Sequence, residues 1–258
     1  MNILVFDIET VPDVESGKRL YNLSSLSDKE AGEVMFTRRR QETDGNSDFI
    51  RHHLQQIVAI SVVLATNSKF AVWTLGESTA TEKEILQRFF EGIEKYTPTL
   101  VSWNGSGFDL PVIHYRSLLH GVQAPRYWES GKEDQSFKWN NYLSRFHERH
   151  TDLMDVLAGY QYRSVAPLTE VASMLGFPGK LGMSGDKVWD AYIDGEIEEI
   201  RNYCESDVLN TYLVYIRYQL IRGELSPEGY ELECQRVRDA LRKDGKPHLL
   251  EFLENWPA

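Results

Sequence analysis

The chain begins with a short apolar run that ends in two carboxylates. Asn2 to Asp7 is rich in β-branched and other apolar side chains, which predicts a buried strand at the very start of the fold. Asp7 and Glu9 lie at the end of this strand, and side chains two residues apart on a strand share a face. Like charges repel and are poorly tolerated beside a core unless a cation neutralises them. The pair therefore indicates either a metal site or a strand that has already ended and leaves both carboxylates solvated.

Composition places the chain among ordinary globular proteins and constrains its partners. The 258 residues are 41% hydrophobic and 26% charged, which suits one sizeable α/β domain or two small ones. With a net charge of −11, the chain has no general attraction for nucleic acid, so a nucleic-acid enzyme would depend on bound cations and local basic segments. The two cysteines, the lack of a signal peptide and the lack of a long apolar run predict a cytoplasmic protein without a membrane partner.

The order of the predicted elements indicates an α/β fold with a mixed sheet of about five strands flanked by helices. After the first strand come a hairpin of strands at 57–66 and 69–75, a helix from 81 to about 95, a strand at 100–103, a helix at 110–119, a strand or helix at 151–158, and helices at 168–175, 197–220 and beyond 227. We expect one domain over residues 1–226, with a helical tail, 227–258, packed on it. The polar segments 13–55 and 126–150 are expected to be insertions or substrate-facing loops.

Further candidate residues follow the later elements. Asp109 lies just ahead of a predicted helix, where aspartate is also a favoured N-cap residue. Tyr203 and Asp207 are four residues apart on the long late helix and therefore face the same way. A phenol beside a carboxylate can orient a water molecule, but a half-buried tyrosine bonded to a surface aspartate gives the same pattern.

Taken together, these motifs form an ordered set that resembles the tyrosine-containing branch of the DEDD exonuclease superfamily. The three motifs are Phe6-Asp7-Ile8-Glu9-Thr10, Asn104-Gly105-Ser106-Gly107-Phe108-Asp109 and Tyr203-Cys204-Glu205-Ser206-Asp207. The second motif is similar to that of the proofreading domain of family B DNA polymerases. The stretch 179–223 further resembles stand-alone bacterial exonucleases related to that domain. The resemblance is weakest in residues 13–55 and after 226.

The resemblance implies a ribonuclease H-like fold and hydrolysis of terminal phosphodiesters from the 3′ end. Carried over by position, Asp7, Glu9 and Asp207 would hold the metal that binds the attacking water. Asp7 would bridge to a second metal, on which Asp109 would act largely through water. Tyr203 would orient the nucleophilic water.

Substrate contacts are expected around the same motifs. Thr10, Asn104 and Phe108 are candidates for contacts with the terminal nucleotides. The aromatic and basic segment 127–149 could stack on bases, or its aromatic residues could anchor a surface loop in the core. Lys187, after the glycine-containing loop 179–187, could touch a phosphate or be a solvated lysine beside a helix cap.

The expected cofactors are two Mg²⁺ or Mn²⁺ ions. A phosphodiester is anionic and hydroxide attack adds charge, so two cations about 3.5–4 Å apart can stabilise both the attacking and the leaving oxygen. Ligands that are all oxygen favour these ions over zinc. His147 and His150 do not have zinc spacing and are expected to be solvated or to face a phosphate.

The expected substrate is the 3′ end of single-stranded DNA. An RNA exonuclease on the same site, a catalytically silent nucleic-acid-binding scaffold and a ribonuclease H-like endonuclease are the alternatives. The complete set of carboxylates argues against the scaffold, and the pairing of Tyr203 with Asp207 argues against the endonuclease. No polymerase domain follows the motifs before Ala258, so a role in proofreading or DNA repair is expected to need a separate polymerase or repair partner.

Overall fold

The computed structural model describes residues 2–179 and 181–256. Strand β1 (Ile3–Pro12) lies at the centre of a five-stranded sheet of order β3-β2-β1-β4-β5. The other strands are β2 (Gln55–Ala65), β3 (Phe70–Thr74), β4 (Thr99–Ser102) and β5 (His150–Asp152). The pairs β1/β2 and β2/β3 are antiparallel, and the pairs β1/β4 and β4/β5 are parallel. The predicted mixed α/β sheet of about five strands is thus confirmed.

Ten α-helices accompany the sheet in the described ranges. They are α1 (Val14–Tyr21), α2 (Asp28–Glu42), α3 (Glu82–Tyr96), α4 (Asp109–His120), α5 (Leu153–Leu157), α6 (Leu168–Met174), α7 (Val188–Ile193), α8 (Ile197–Ile221), α9 (Pro227–Asp244) and α10 (Pro247–Glu254). None of the helices in this part of the chain combines the length and apolar character that crossing a bilayer requires.

The alternation of side chains along β1 builds a core on each face of the sheet. Leu4, Phe6 and Ile8 pack in one buried cluster with residues of α3 and α4. Val5 points the other way, into a cluster with residues of α8, α9 and α10. Because side chains alternate along a strand, Asp7 belongs to the same face as Val5, which is the face that α8 covers.

Several local predictions are confirmed because their signals lie within short stretches of chain. The hairpin forms with strands β2 and β3 in antiparallel register. Thr81 and Glu84 form a capping box at the start of α3. Gly121 caps the end of α4 in the left-handed conformation, at a φ of 62°.

The polar segment 13–55, for which the sequence predicted an insertion or a substrate-facing loop, is largely helical. It contains α1 and α2, and α2 begins with a capping box formed by Ser27 and Glu30. Helix α2 lies so close to α7 that a Cβ atom on Gly32 would overlap the ring of Trp189. A loop is therefore the wrong description of this segment, because two capped helices pack on the body of the protein.

The segment 126–150 has few regular elements in the structure, among them the 3-10 turn Gln135–Phe137. Tyr127, Phe137 and Tyr142 are buried and anchor it in the same core cluster as α3 and α4. Trp128 and Trp139 remain exposed. At the other end of the chain, α9 and α10 pack against α8, and residues 257–258 of the predicted tail lie outside the described part.

Candidate active site

Asp7 and Glu9 lie in the part of β1 that extends beyond its parallel neighbour, β4. Pairing between β1 and β4 covers only Ile3 to Val5, whereas β1 continues beside β2 as far as Pro12. Asp7 and Glu9 therefore project beyond the end of β4. The register between β1 and β2 shifts immediately after Glu9, so the strand is irregular at this point.

Helix α8 brings the third motif to these carboxylates. The Sγ atom of Cys204 lies 3.6 Å from Oδ2 of Asp7 and 3.5 Å from the backbone oxygen of the same residue. Ligand atoms of Asp7, Glu9 and Cys204 all lie within 4.8 Å of one another. The phenol of Tyr203 lies near the carboxylate of Asp207, one turn further along the helix, and that carboxylate raises the pKa of the phenol. Strand β1 and α8 thus join two of the three motifs directly.

Asp109 completes the cluster from the start of α4. It is the first residue of the helix, and the N-cap position belongs to Phe108, so the alternative that Asp109 caps the helix is wrong. The backbone amides of Ile8 on β1 and of Asp109 itself lie near its carboxylate and act to lower its pKa. The second motif therefore reaches the same end of β1 as the first.

Burial and repulsion between neighbouring carboxylates dominate the electrostatics of Asp7, Glu9 and Asp109. Burial raises the pKa of Asp7 well above its usual value, and repulsion from Asp109, Glu9 and Asp207 raises it further. Burial, with repulsion from Asp207 and Asp109, does the same to the pKa of Glu9. Burial also raises the pKa of Asp109 to about 7, against the opposing effect of its backbone hydrogen bonds. Such a cluster must either hold protons or bind cations that replace them.

The donor set fits hard divalent cations. Carboxylate oxygens are the ligands that Mg²⁺ and Mn²⁺ prefer. Burial raises the pKa of the Cys204 thiol well above its usual value, and the nearby Asp7 and Glu9 raise it further. Without a metal the thiol is therefore protonated and can donate to Asp7. The position of Cys204 was not singled out from the sequence, although it directly follows Tyr203 in the third motif.

The loop that carries Asp109 is held in place by Asp152. This residue is the N-cap of α5. Its Oδ1 atom also accepts the backbone amide of Asn104 at 2.9 Å, and its Oδ2 atom accepts that of Ser106 at 2.8 Å. One carboxylate on β5 thus fixes two amides of the second motif. This role depends on the pairing of β4 with β5, which the sequence did not reveal.

His150 lies beside this loop and differs from its prediction. It was expected to be solvated or to face a phosphate, but only 4% of its surface is exposed. Its Nε2 atom lies 2.8 Å from the Ser102 hydroxyl. Burial lowers the pKa of His150 to about 4, so the ring is neutral near pH 7 and belongs to the core.

A cavity of about 640 Å³ borders the carboxylates. Glu9, Thr10 and Phe108 line it, and α2 forms part of its wall. The ring of Phe49 lies 5.3 Å from that of Phe108 and also lines the cavity. Thr10 and Phe108 are thus next to the cluster, as a role in binding the terminal nucleotide requires.

The other two candidate substrate contacts lie elsewhere. Asn104 adopts a left-handed conformation with a φ of 62° and lines a different cavity. Lys187 is exposed at the end of the 3-10 turn Gly185–Lys187, while Gly185 and Asp186 of the same turn line the 640 Å³ cavity. Residue 180 of the preceding glycine-containing loop lies outside the described residues.

Comparison with known proteins gives a consistent result. Residues 47–256 match a family described as predicted 3′–5′ exonucleases related to the exonuclease domain of PolB. The chain is 26% identical over 179 residues to a DNA polymerase of Archaeoglobus fulgidus, a match that covers 68% of this chain and 21% of that protein. It is 28% identical over 142 residues to the catalytic polypeptide of DNA polymerase epsilon from Saccharomyces cerevisiae, covering 53% of this chain and 6% of that protein.

The fold has a counterpart among solved structures. The family B DNA polymerase of the hyperthermophilic archaeon Pyrobaculum calidifontis superposes with a TM-score of 0.52 at 16% sequence identity. The match covers 86% of this chain and 24% of the polymerase. The chain therefore shares its fold with part of a family B polymerase, and it spans no more than about a quarter of any of these three proteins.

Proposed function

We propose that this chain, which belongs to the family of predicted 3′–5′ exonucleases related to the exonuclease domain of PolB, removes nucleotides from the 3′ end of single-stranded DNA with the help of two divalent cations. The observation that carries the proposal is the mutual repulsion of Asp7, Glu9, Asp109 and Asp207 at the end of β1. These acids come from three separate elements, so their convergence is a property of the fold.

The carboxylates would share the binding of the cations. Asp7, Glu9 and Asp207 would hold one ion, and Asp7 with Asp109 would hold the second. When bound, such a pair stabilises the charge that develops on the attacking and leaving oxygens of a phosphodiester. It also explains how an acidic chain can accept an anionic substrate.

Tyr203 would orient the attacking water. Burial raises the pKa of its phenol above the usual value, and the neighbouring carboxylates of Asp207, Glu9 and Asp7 raise it further. The phenol therefore keeps its proton at neutral pH and remains a hydrogen-bond donor. A protonated phenol beside Asp207 would act by positioning the water, not by taking its proton.

The 640 Å³ cavity would hold the terminal nucleotide. Aromatic side chains in its wall, among them Phe49 and Phe108, can contact a base of any sequence, which suits an enzyme that removes successive nucleotides. Thr10, beside Glu9 on β1, lines the same cavity and would contact the same nucleotide. The matched relatives are DNA polymerases, and we extend their substrate to this chain on that ground. A separate polymerase or repair protein as a partner stays a prediction.

The test is degradation of a 5′-labelled single strand of DNA, beside a matched RNA strand, with Mg²⁺ or Mn²⁺ and with EDTA. We expect a ladder that shortens from the 3′ end in the presence of metal, and no products with EDTA. Asp7→Ala should lower the rate by at least about 10³-fold, because the site acts as a unit. Tyr203→Phe should cost less, about 10- to 100-fold, since it loosens one water molecule.

The matched control is Asp194→Ala, which removes an exposed carboxylate at the end of α7, outside the cluster. It should degrade DNA at the wild-type rate. Preferential degradation of RNA would correct the substrate. Full activity in excess EDTA, or in a folded Asp7→Ala protein, would contradict the mechanism, and cleavage of circular single strands would point to an endonuclease.

A further inference from the structure

A second cavity, of about 450 Å³, borders the loop that leads into Asp109. We call it the aromatic groove. The loop contributes Asn104 and Ser106 to its wall, and the segment 127–145 contributes Trp128, Tyr142 and Arg145. The loop 104–109 therefore carries a candidate metal ligand at its end and forms one wall of the groove.

Trp128 lies at the mouth of the groove with half of its surface exposed. Its ring packs 4.9 Å from that of His114 and meets the ring of Tyr127 edge-on at 5.2 Å. Tyr127 is buried, and its hydroxyl lies 2.9 Å from Nε2 of His114. The indole thus packs against the buried ring of Tyr127 and the partly buried ring of His114, while part of its surface faces solvent. This arrangement costs little further ordering when a flat ligand stacks on it.

A cation borders the same cavity. The guanidinium of Arg145 is about half exposed and pairs with Asp155 at 2.7 Å. It also lies 5.2 Å from the centre of the Tyr160 ring. An arginine has five N–H donors, so a guanidinium paired with one carboxylate can still donate to a second anion.

We propose that the aromatic groove binds an upstream nucleotide of the single strand whose 3′ end occupies the metal site. The base would stack on Trp128, and Arg145 would contact a phosphate beside it. The occupant follows from continuity, because the groove shares the loop 104–109 with the site. It also follows from chemistry, because an exposed indole beside a guanidinium suits a flat base attached to an anionic backbone. The inference rests on the proposed exonuclease function.

The strand leaving the active site would thus be held at two places. The terminal nucleotide would occupy the cavity lined by Thr10 and Phe108, and the upstream nucleotide would occupy the aromatic groove. The groove offers stacking instead of base-edge hydrogen bonds, so it would accept any base. If the aromatic groove binds an upstream nucleotide, the enzyme should prefer strands that are long enough to reach the groove.

The test compares the kcat/KM for a strand of about ten nucleotides with that for a trinucleotide of the same 3′ sequence. Wild-type protein should favour the longer strand. Trp128→Ala should reduce this advantage by about tenfold, the change that one lost base stack produces. Trp128→Phe should retain most of the advantage. Trp139→Ala is the matched control, since Trp139 is exposed on the same segment but does not line the groove.

Two further readouts locate the contacts. In the first, 2-aminopurine is placed at successive positions from the 3′ end, with Ca²⁺ in place of Mg²⁺. Wild-type protein should quench its fluorescence at one upstream position, and Trp128→Ala should not. Arg145→Gln should reduce the slope of log affinity against log salt by about 0.7, the value for one phosphate contact on a single strand.

An unchanged length preference in Trp128→Ala would overturn the proposal while leaving the exonuclease function intact. It would also leave a protein partner as the occupant of the groove. By contrast, failure of wild-type protein to shorten either strand would contradict the exonuclease function itself.

Discussion

Two regions of this protein bring carboxylates together around β1, and their charges are compensated in opposite ways. Asp13, just beyond the end of β1, and Glu82, at the start of α3, both pair with the buried guanidinium of Arg116. Asp7 and Glu9 lie on β1 itself and have no such partner among their described contacts. Their nearest charged neighbours are other carboxylates.

The pKa shifts have opposite directions in the two regions. Burial works to raise the pKa of Asp13, but hydrogen bonds from Ser16 and the ion pair with Arg116 lower it overall. Burial and repulsion together raise the pKa of Asp7 and Glu9. A buried acid with its own counterion is tolerated within the fold, whereas a cluster of acids that repel one another indicates a site that binds an external cation. This contrast distinguishes the structural acids from the functional ones.

The largest effect is expected in the structural region. Arg116→Met removes the cation shared by Asp13 and Glu82 and leaves both carboxylates buried. The free energy of unfolding should fall by about 3–5 kcal/mol, the usual consequence of breaking a buried pair on one side. Urea denaturation measures it. Arg19→Met, which breaks an exposed pair with Glu15, is the control and should cost less than about 0.5 kcal/mol. Equal losses of unfolding free energy in Arg116→Met and Arg19→Met would contradict a special role for the buried guanidinium.

The pH dependence of the metal-free protein is the next largest effect. Because burial raises the pKa of Asp109 from 3.8 to about 7, the folded state holds a proton that the unfolded state releases. This contribution to stability is present below pH 4 and is lost as the pH rises through about 7. Asp109→Asn lacks the group, so its stability relative to wild type in EDTA should increase by an amount on the order of 2 kcal/mol between pH 4 and pH 7. A constant difference across that range would contradict the shift.

Asp13 provides the opposite sign in the same experiment. Its pKa is lowered in the folded state, so its contribution to stability is present above pH 4 and is lost as the pH falls. Comparison of Asp13→Asn with wild type should therefore show the larger loss of stability near neutral pH. Pairing this variant with Asp109→Asn sharpens the comparison between the two regions.

A smaller effect is expected from the residue that positions the second motif. Asp152→Asn keeps the volume of the side chain but replaces one of the two oxygens that accept the amides of Asn104 and Ser106. The loop before Asp109 should loosen, and the midpoint for activation by Mn²⁺ should rise by about tenfold. A tenfold rise in the Mn²⁺ midpoint, with little change in the free energy of unfolding, would show that Asp152 positions the loop. It would exclude a general folding defect as the cause. A change in stability with an unchanged midpoint would assign Asp152 to the fold alone.

The smallest effect is expected at Cys204. If the site binds metal through oxygen, Cys204→Ala removes only a weak thiol donor from Asp7 and should change the Mn²⁺ midpoint by less than about threefold. Cys204→Ser, which retains a donor, should be closer to wild type. Loss of metal binding in both variants would show that the sulfur is a ligand and that the site is of another type.

How much of this architecture could be predicted depended on how local its signals are. The first strand, the hairpin and the helix that begins near Thr81 each have signals within a few consecutive residues, and the structure confirms them. The meeting of Asp7 with α8 could be inferred only from the ordered set of motifs, since no local pattern places residues 7 and 204 together. The motif order thus supplied the long-range information that spacing alone does not contain.

The features that escaped prediction are those in which distant residues determine the outcome. Helix α2 has a capping box at Ser27 that the sequence displays, but its polar character favoured a loop, and its packing against Trp189 is not visible locally. The hydrogen bond from the backbone amide of Asn104 to Asp152 joins residues that are 48 positions apart in the sequence. Arg116 likewise reaches Asp13 across 103 residues. Such contacts depend on the completed sheet, so the sequence could not reveal them.

The most direct measurement of the central claim is a thermal unfolding titration of wild type and Asp7→Asn with Mn²⁺ at neutral pH. Wild-type protein should be stabilised by about 2.7 kcal/mol when the metal reaches a hundred times its dissociation constant, because only the folded cluster binds it. Asp7→Asn, with less repulsion to relieve and one ligand fewer, should gain little. Equal responses of the two proteins, or no response of wild type at millimolar metal, would contradict the claim that these acids form a divalent-metal site.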